Sequence, residues 1–160
     1  LKPSGTGRRK PPGSESMANE DHHRKLERMY TEAPCNAYFR PRIRISEGRA
    51  EVSLAVRPDL FHAAGAVHGS VYFKLLDDAA FFACNSLLEG RLVLTVQFQV
   101  HLLRPVSQGD MRAVGTVAHH AATLMVGESR LIDSRGREAG RGSGTFQKSR
   151  IPLIPDMGYA

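Results

Sequence analysis

A chain of 160 residues, 41% apolar and with a net charge of +6, is long enough for one domain with a real core. Its two cysteines, Cys35 and Cys84, make neither a disulfide framework nor a zinc spacing. The longest apolar run carries Lys74, Asp77 and Asp78 and does not read as a membrane span. Half of the net charge, +3, comes from residues 1–16 (LKPSGTGRRKPPGSES), a Pro/Gly/Ser-rich segment that buries no core and is expected to be a disordered basic extension or leader. The remaining +3 has no aromatic–basic interleaving, so nucleic acid is not an expected partner. One domain is expected over 17–150, with a proline-broken C-terminal tail over 151–160. No secretory signal is visible, and a reducing cytoplasm is the expected compartment.

In chain order, Asn19, Glu20 and Asp21 supply acceptors for the start of a short helix over 19–31, with Leu26, Met29 and Tyr30 as its apolar stripe and Pro34 as its stop. Residues 40–45 and 50–56 read as strands joined by a turn at Ser46-Glu47-Gly48. A Gly/Ala-rich loop over 60–67 leads into the longest helical stretch. The clearest strand is 92–103, where Leu92, Leu94, Val96, Phe98, Val100 and Leu102 alternate with Val93, Thr95, Gln97, Gln99 and His101. Three strands follow, near 110–119, 122–132 and 137–147, the last two joined by a turn at Asp133-Ser134-Arg135-Gly136. Gly140, Gly142 and Gly144 clear one face of the final strand, for a close approach by the helix, another backbone or a ligand, or simply as a weak edge. One long helix against one antiparallel sheet predicts an α+β fold.

The chain is organised around 65–88, GAVHGSVYFKLLDDAAFFACNSLL. At about 100° per residue, Asp78 shares a sector with Lys74 and Asn85, a polar stripe on which it is solvated or paired. Its removal is therefore expected to cost only a surface ion pair, about 0.3–0.5 kcal/mol. Asp77 projects among Phe73, Ala80, Phe81 and Cys84, where burial raises a carboxylate's pKa and suits it to be a base or nucleophile. The alternative is a second surface carboxylate at a bend. Cys84 is read as a small packed residue, since His68, sixteen residues earlier, lies about 24 Å away along the helix. His22-His23 and His119-His120 are read as surface pairs. No Gly-x-Ser-x-Gly elbow, phosphate loop or metal-ligand spacing occurs in the sequence.

This order of elements, with GAVHGS opening a helix that carries LLDDAAFFACNS, resembles the hotdog-fold acyl-CoA thioesterases, closest to the phenylacetate-pathway type. The resemblance covers about 40–147. Its most specific signal is His-Gly followed nine residues after the His by an acid: here His68, Gly69 and Asp77. It implies that Asp77 activates water or attacks a thioester carbonyl, and that the Gly69 N–H polarises that carbonyl from the helix N-terminus. In the mammalian relatives a Ser or Thr on the following strand helps place the water from the facing subunit; that position holds Thr95 here, or Thr95 is an ordinary strand residue. Two positions depart from the family: Ser70 stands where a second glycine is usual, and His62 where Asn is frequent. His62 is either a further donor titrating near neutrality or a plain loop residue.

Ser70, Phe73 and Phe81 are expected to line the substrate site. Lys74 and Arg104 are further expected substrate-binding residues, and Lys74, Arg104, Arg130 and Arg141 are all available for coenzyme A phosphates, with no choice among them in the sequence. The resemblance implies an acyl- or aryl-CoA substrate and a homo-oligomer, a dimer or a tetramer built from two dimers. No cofactor, metal, nucleic acid or membrane is expected. The alternatives are a hotdog acyl-CoA or acyl-ACP hydratase or dehydratase, and a non-catalytic acyl-CoA-binding protein.

Overall fold

The computed structural model describes residues 12–160, and residues 1–11 of the basic extension lie outside it. The first helix, α1 (Pro12–Glu32), begins earlier than the acceptor cluster at 19–21 suggests and buries Leu26, Met29 and Tyr30. A single turn, α2 (Asn36–Phe39), follows Pro34. Six strands, β1 (Arg42–Ser46), β2 (Arg49–Ala55), β3 (Arg91–Leu102), β4 (Asp110–His120), β5 (Leu124–Asp133) and β6 (Glu138–Pro152), form one antiparallel sheet in the order β1-β2-β4-β5-β6-β3. The long helix, α3 (Gly69–Asn85), lies against β1–β6 and buries Leu75, Leu76, Ala79, Ala80 and Ala83. The α+β expectation is borne out. Among the described residues no helix is long and apolar enough to cross a membrane.

Small residues let α3 sit low on the sheet. A Cβ at Gly115 of β4 would lie 2.1 Å from the Ala79 carbonyl oxygen, and one at Gly127 of β5 would lie 3.1 Å from that of Ala80. The glycines of β6 answer to a side chain. A Cβ at Gly142 would come within 2.5 Å of the Phe98 ring, and one at Gly144 would overlap the ring outright. Phe98 fills the space that two missing side chains leave.

The single apolar face expected of β3 does not exist. Thr95 pairs with Phe146 and Gln97 with Thr145, so Val96 is an extra residue, a β-bulge. The alternation changes phase there. Before the bulge Val93 is fully buried while Leu94 is 45% exposed, and beyond it Phe98 and Val100 pack on the core. Thr95, opposite the buried Phe146, faces α3 because of this inserted residue. Val96 itself is 61% exposed. β3 is also a terminal strand, with one edge unpaired among the described residues.

His22 and His23 are buried, which corrects their reading as surface residues. They lie a turn before Leu26 on the stripe of α1 that covers α3. His22 Nε2 lies 3.0 Å from the Asn85 carbonyl oxygen and Nδ1 2.7 Å from the Tyr159 hydroxyl, and His23 Nε2 lies 3.3 Å from the Ser86 carbonyl oxygen. Two imidazoles thus meet the last carbonyls of α3, where free acceptors need donors. Asn85 is fully buried instead of lying on a solvated stripe: its side chain accepts from Val93 N–H at 2.9 Å and donates to the Arg91 carbonyl at 3.2 Å.

Burial holds the His23 pKa below the ordinary 6.5, the neighbouring His22 and Arg24 adding to the effect against the Ser86 hydrogen bond. The folded state therefore binds this proton less readily than the unfolded chain, and the stability His23 contributes falls as pH drops from about 6.5 through the lowered value. Thermal melts at falling pH should show the loss, and His23→Gln should blunt it; an unchanged pH dependence in the variant would remove His23 as its source.

Candidate active site

Asp77 lies in the middle of α3, half-buried, and Thr95 Oγ1 of the same chain donates to its Oδ1 at 3.1 Å. Burial pushes its pKa up to about 6; the Asp78 charge adds to the rise, while Thr95 and Lys74 pull it down. Such a group is a competent base near neutral pH. The Thr95 contact lies within one chain, whereas the family resemblance implied help from the facing subunit.

Of the two alternatives for Asp78, solvated or paired, the structure shows the pair with Lys74 and adds a second partner. Tyr30 of α1 and Lys74 both donate to its Oδ2 at 2.7 Å. The Lys74 and Asp78 side chains are 15% and 19% exposed, and the ammonium also stands over the rings of Tyr30 and Phe39. Lys74 is thereby held in a largely enclosed ion pair with Asp78. Tyr30 went unrecognised in the sequence as a polar partner because its position on the apolar stripe of α1 explained it already.

At the start of α3, His68 is the N-cap: its Nδ1 accepts from Ser70 N–H at 3.1 Å, and its carbonyl accepts from Val71 N–H at 3.0 Å. The Gly69 N–H remains a free first-turn donor among the described residues. Its backbone is approached closely, since a Cβ there would lie 3.0 Å from Leu102 Cδ1. The Ser70 hydroxyl turns back to His68 Nδ1 at 2.8 Å. The preceding loop folds on itself through a Phe61–Val67 bridge and a His68 N–H to Leu60 carbonyl bond of 2.9 Å, which puts His62, exposed, at this same end of the helix. His62 Nδ1 accepts from Ala64 N–H at 3.1 Å.

Phe73 is 43% exposed and edge-on to Phe98, with centroids 5.7 Å apart. Phe81, one turn after Asp77, is edge-on to Phe82 and Phe146. Arg104 is exposed, two residues beyond the Leu102 that covers Gly69, with its carbonyl held by the Tyr72 hydroxyl at 2.8 Å. Arg130 and Arg141 both pair with Glu138 and line the face of the sheet opposite α3. Burial pushes the Cys84 thiol up to about 12, consistent with a packing residue.

The chain thus has the architecture of the hotdog thioesterases. The sequence profile of the thioesterase superfamily matches residues 64–139, from the turn before α3 into the start of β6. Among solved structures, the PaaI protein of the E. coli phenylacetic acid degradation operon superposes with a TM-score of 0.78 at 21% identity, over 85% of this chain and 99% of that one. A thioesterase-family protein from Silicibacter pomeroyi gives 0.74 at 25% identity, over 79% and 97%. A Mycobacterium tuberculosis protein provisionally named an esterase is 29% identical over 102 residues, 61% of this chain and 73% of that protein. The family resemblance drawn from the His68–Asp77 spacing is borne out.

Proposed function

We propose that the protein hydrolyses acyl- or aryl-CoA thioesters at sites shared between two copies of the chain. The observation that carries this reading is the half-buried Asp77, its pKa raised to about 6, aligned by Thr95 beside the unpaired edge strand β3. Gly69 and Asp77 are eight residues apart on one helix, about 12 Å along its axis. One thioester cannot meet both, because its carbonyl oxygen and carbon are adjacent atoms. Two α3 helices side by side and antiparallel bring Gly69 of one copy to Asp77 of the other. The free edge of β3, with Leu94 and Val96 exposed, offers the strand pairing for such a dimer.

In that site the Gly69 N–H, at the positive end of a helix, donates to the thioester oxygen. Asp77 takes a proton from water and the hydroxide attacks the carbonyl carbon. The oxyanion then collapses, the C–S bond breaks, and the proton held by Asp77 passes to the leaving thiolate. Direct attack by Asp77 is the other route the same position allows. This chemistry uses no metal or cofactor.

The test is release of free thiol from a panel of acyl- and aryl-CoAs, with sedimentation equilibrium on the same sample. Hydrolysis by a dimer or tetramer is the expected result. No thiol release across the panel would end the thioesterase reading, and turnover by a monomer would end the shared site. Consumption of an enoyl-CoA without thiol release would favour the hydratase alternative.

A further inference from the structure

Ser70 stands where a second glycine is usual in the hotdog thioesterases, and the hydrolysis described above makes no use of its hydroxyl. Its surroundings are those of a nucleophile. Ser70 Oγ lies 2.8 Å from His68 Nδ1. The same nitrogen accepts the Ser70 main-chain N–H at 3.1 Å. A main-chain N–H only donates, so Nδ1 carries no proton and the hydroxyl donates to it. The imidazole is thus in the tautomer of a base, its free nitrogen aimed at the serine O–H and within the reach of a nucleophile–base pair. The main chain of His68 is held on both sides: its N–H donates to the Leu60 carbonyl at 2.9 Å, and its carbonyl accepts from Val71 N–H at 3.0 Å. His68 and Ser70 are both exposed in the single chain, at the end of α3 to which the paired arrangement brings Asp77 of the other copy.

Resting on the thioesterase reading, we infer that Ser70 is a nucleophile with His68 as its base, and that the acyl group is carried for part of the reaction as an ester of Ser70. A thioester oxygen on the Gly69 N–H has its carbonyl carbon about 1.2 Å away. Ser70 follows Gly69 directly, so its hydroxyl is the nucleophile this chain itself offers beside that carbon. Asp77 of the same chain is about 10 Å from Ser70 along the helix axis. As Ser70 Oγ bonds to the carbonyl carbon, its proton passes to His68 Nδ1 and the carbonyl oxygen becomes an oxyanion on the Gly69 N–H. Collapse restores the carbonyl and breaks the C–S bond, and the leaving thiolate takes the proton from His68. Free thiol, neutral His68 and acyl-Ser70 remain. The water that Asp77 of the other copy activates then meets this ester in place of the thioester. It gives a proton to Asp77, its hydroxide attacks the ester carbon, the C–Oγ bond breaks, and Ser70 recovers a proton from that carboxyl group. With glycine at this position only the direct routes would exist.

The Asp77→Asn protein separates the two halves, because acylation uses only Gly69, Ser70 and His68; Asp77→Ala takes its place if the Asn variant does not fold. Mixed with octanoyl-CoA, and in parallel with benzoyl-CoA, the folded variant should release a burst of about one free thiol per chain and gain one acyl mass. Peptide mapping should place that acyl group on Ser70. Adding Ser70→Ala should abolish both burst and adduct, and adding His68→Gln should slow both by roughly 10²-fold or more. No burst and no adduct with either acyl group overturns the assignment. So does an adduct on another residue, such as the exposed Cys35, that persists in Ser70→Ala. An undiminished burst with His68→Gln removes His68 as the base. Steady thiol release by the parent is read separately: turnover without acyl-Ser70 in the variant keeps the thioesterase and ends the covalent route, and acyl-Ser70 without turnover by the parent does the reverse.

Discussion

Asp77→Asn is expected to lower kcat by roughly 10²–10⁴, whereas Asp78→Asn should leave most of the turnover in place. The two carboxylates are neighbours in the chain, so only their surroundings separate them. Asp77 has one hydroxyl partner and a raised pKa, and Asp78 has an ammonium and a phenol on a single oxygen. The losses in stability should run in the opposite order. Asp78→Asn leaves Lys74 half-enclosed without its counter-ion and should cost about 1–3 kcal/mol, more than the surface pair anticipated from the helical wheel. Asp77→Asn removes a charge whose ionisation burial opposes, so its melting temperature near neutral pH should match or exceed the parent's. As a base Asp77 works ionised, and kcat/KM of the parent should therefore fall below about pH 6. Steady-state kinetics and melts on the two variants with one shared acyl-CoA decide the matter. A dead Asp78→Asn enzyme beside an active Asp77→Asn enzyme would reverse the assignment.

Gly115→Ala is expected to be the most damaging single-methyl change in the sheet. The added Cβ would fall 2.1 Å from the Ala79 carbonyl oxygen and 2.2 Å from its carbon, both main-chain atoms of α3. No rotamer relieves such a contact, so either β4 or the helix must move away. Overpacking of this kind costs typically 1–3 kcal/mol and occasionally more. The upper end is expected here, a fall in melting temperature of roughly 6–12 °C for a domain of this size. The same shift displaces Asp77, two residues before Ala79, so kcat should fall alongside stability. Gly136→Ala is the control: a Cβ there has nothing within 4 Å, and only its positive φ of 75° resists the change. A melting temperature for Gly115→Ala within about 2 °C of the parent would show that α3 is not held so close to the sheet.

Most of the element order was legible because apolar periodicity and turn residues are local signals. The turn at Asp133 is an example: its Oδ1 accepts from both Arg135 and Arg137 N–H at 2.9 Å, and Gly136 takes the positive φ. Asp77 was singled out by its angular position on α3, a property of eight or nine consecutive residues. The direction of Thr95 was not legible, since nothing local announces that Val96 is an extra residue. Only the pairing with Phe146 and Thr145 shows it. His22 and His23 illustrate the opposite failure. Their spacing of three and four residues from Leu26 placed them on the buried stripe all along, but adjacent histidines read as polar. The partner that makes them buriable, the end of α3, lies 63 residues away.

That distance bears on the order in which the molecule assembles. The last turn of α3 borrows its closure from a segment made long before it, and the imidazole that supplies the closure is itself steadied by Tyr159, 137 residues further along. During synthesis α1 is made before the helix end that its histidines cover. Sealing of the final α3 carbonyls by His22 and His23 closes a loop of 63 residues, whose entropy must be met before any contact rewards it, and the Tyr159 contact that steadies His22 is added later still. The seam where both ends of the described chain meet α3 is thus set to form late and to open early. Amide exchange at Ser86, Leu87 and Leu88 is where that lag would be recorded.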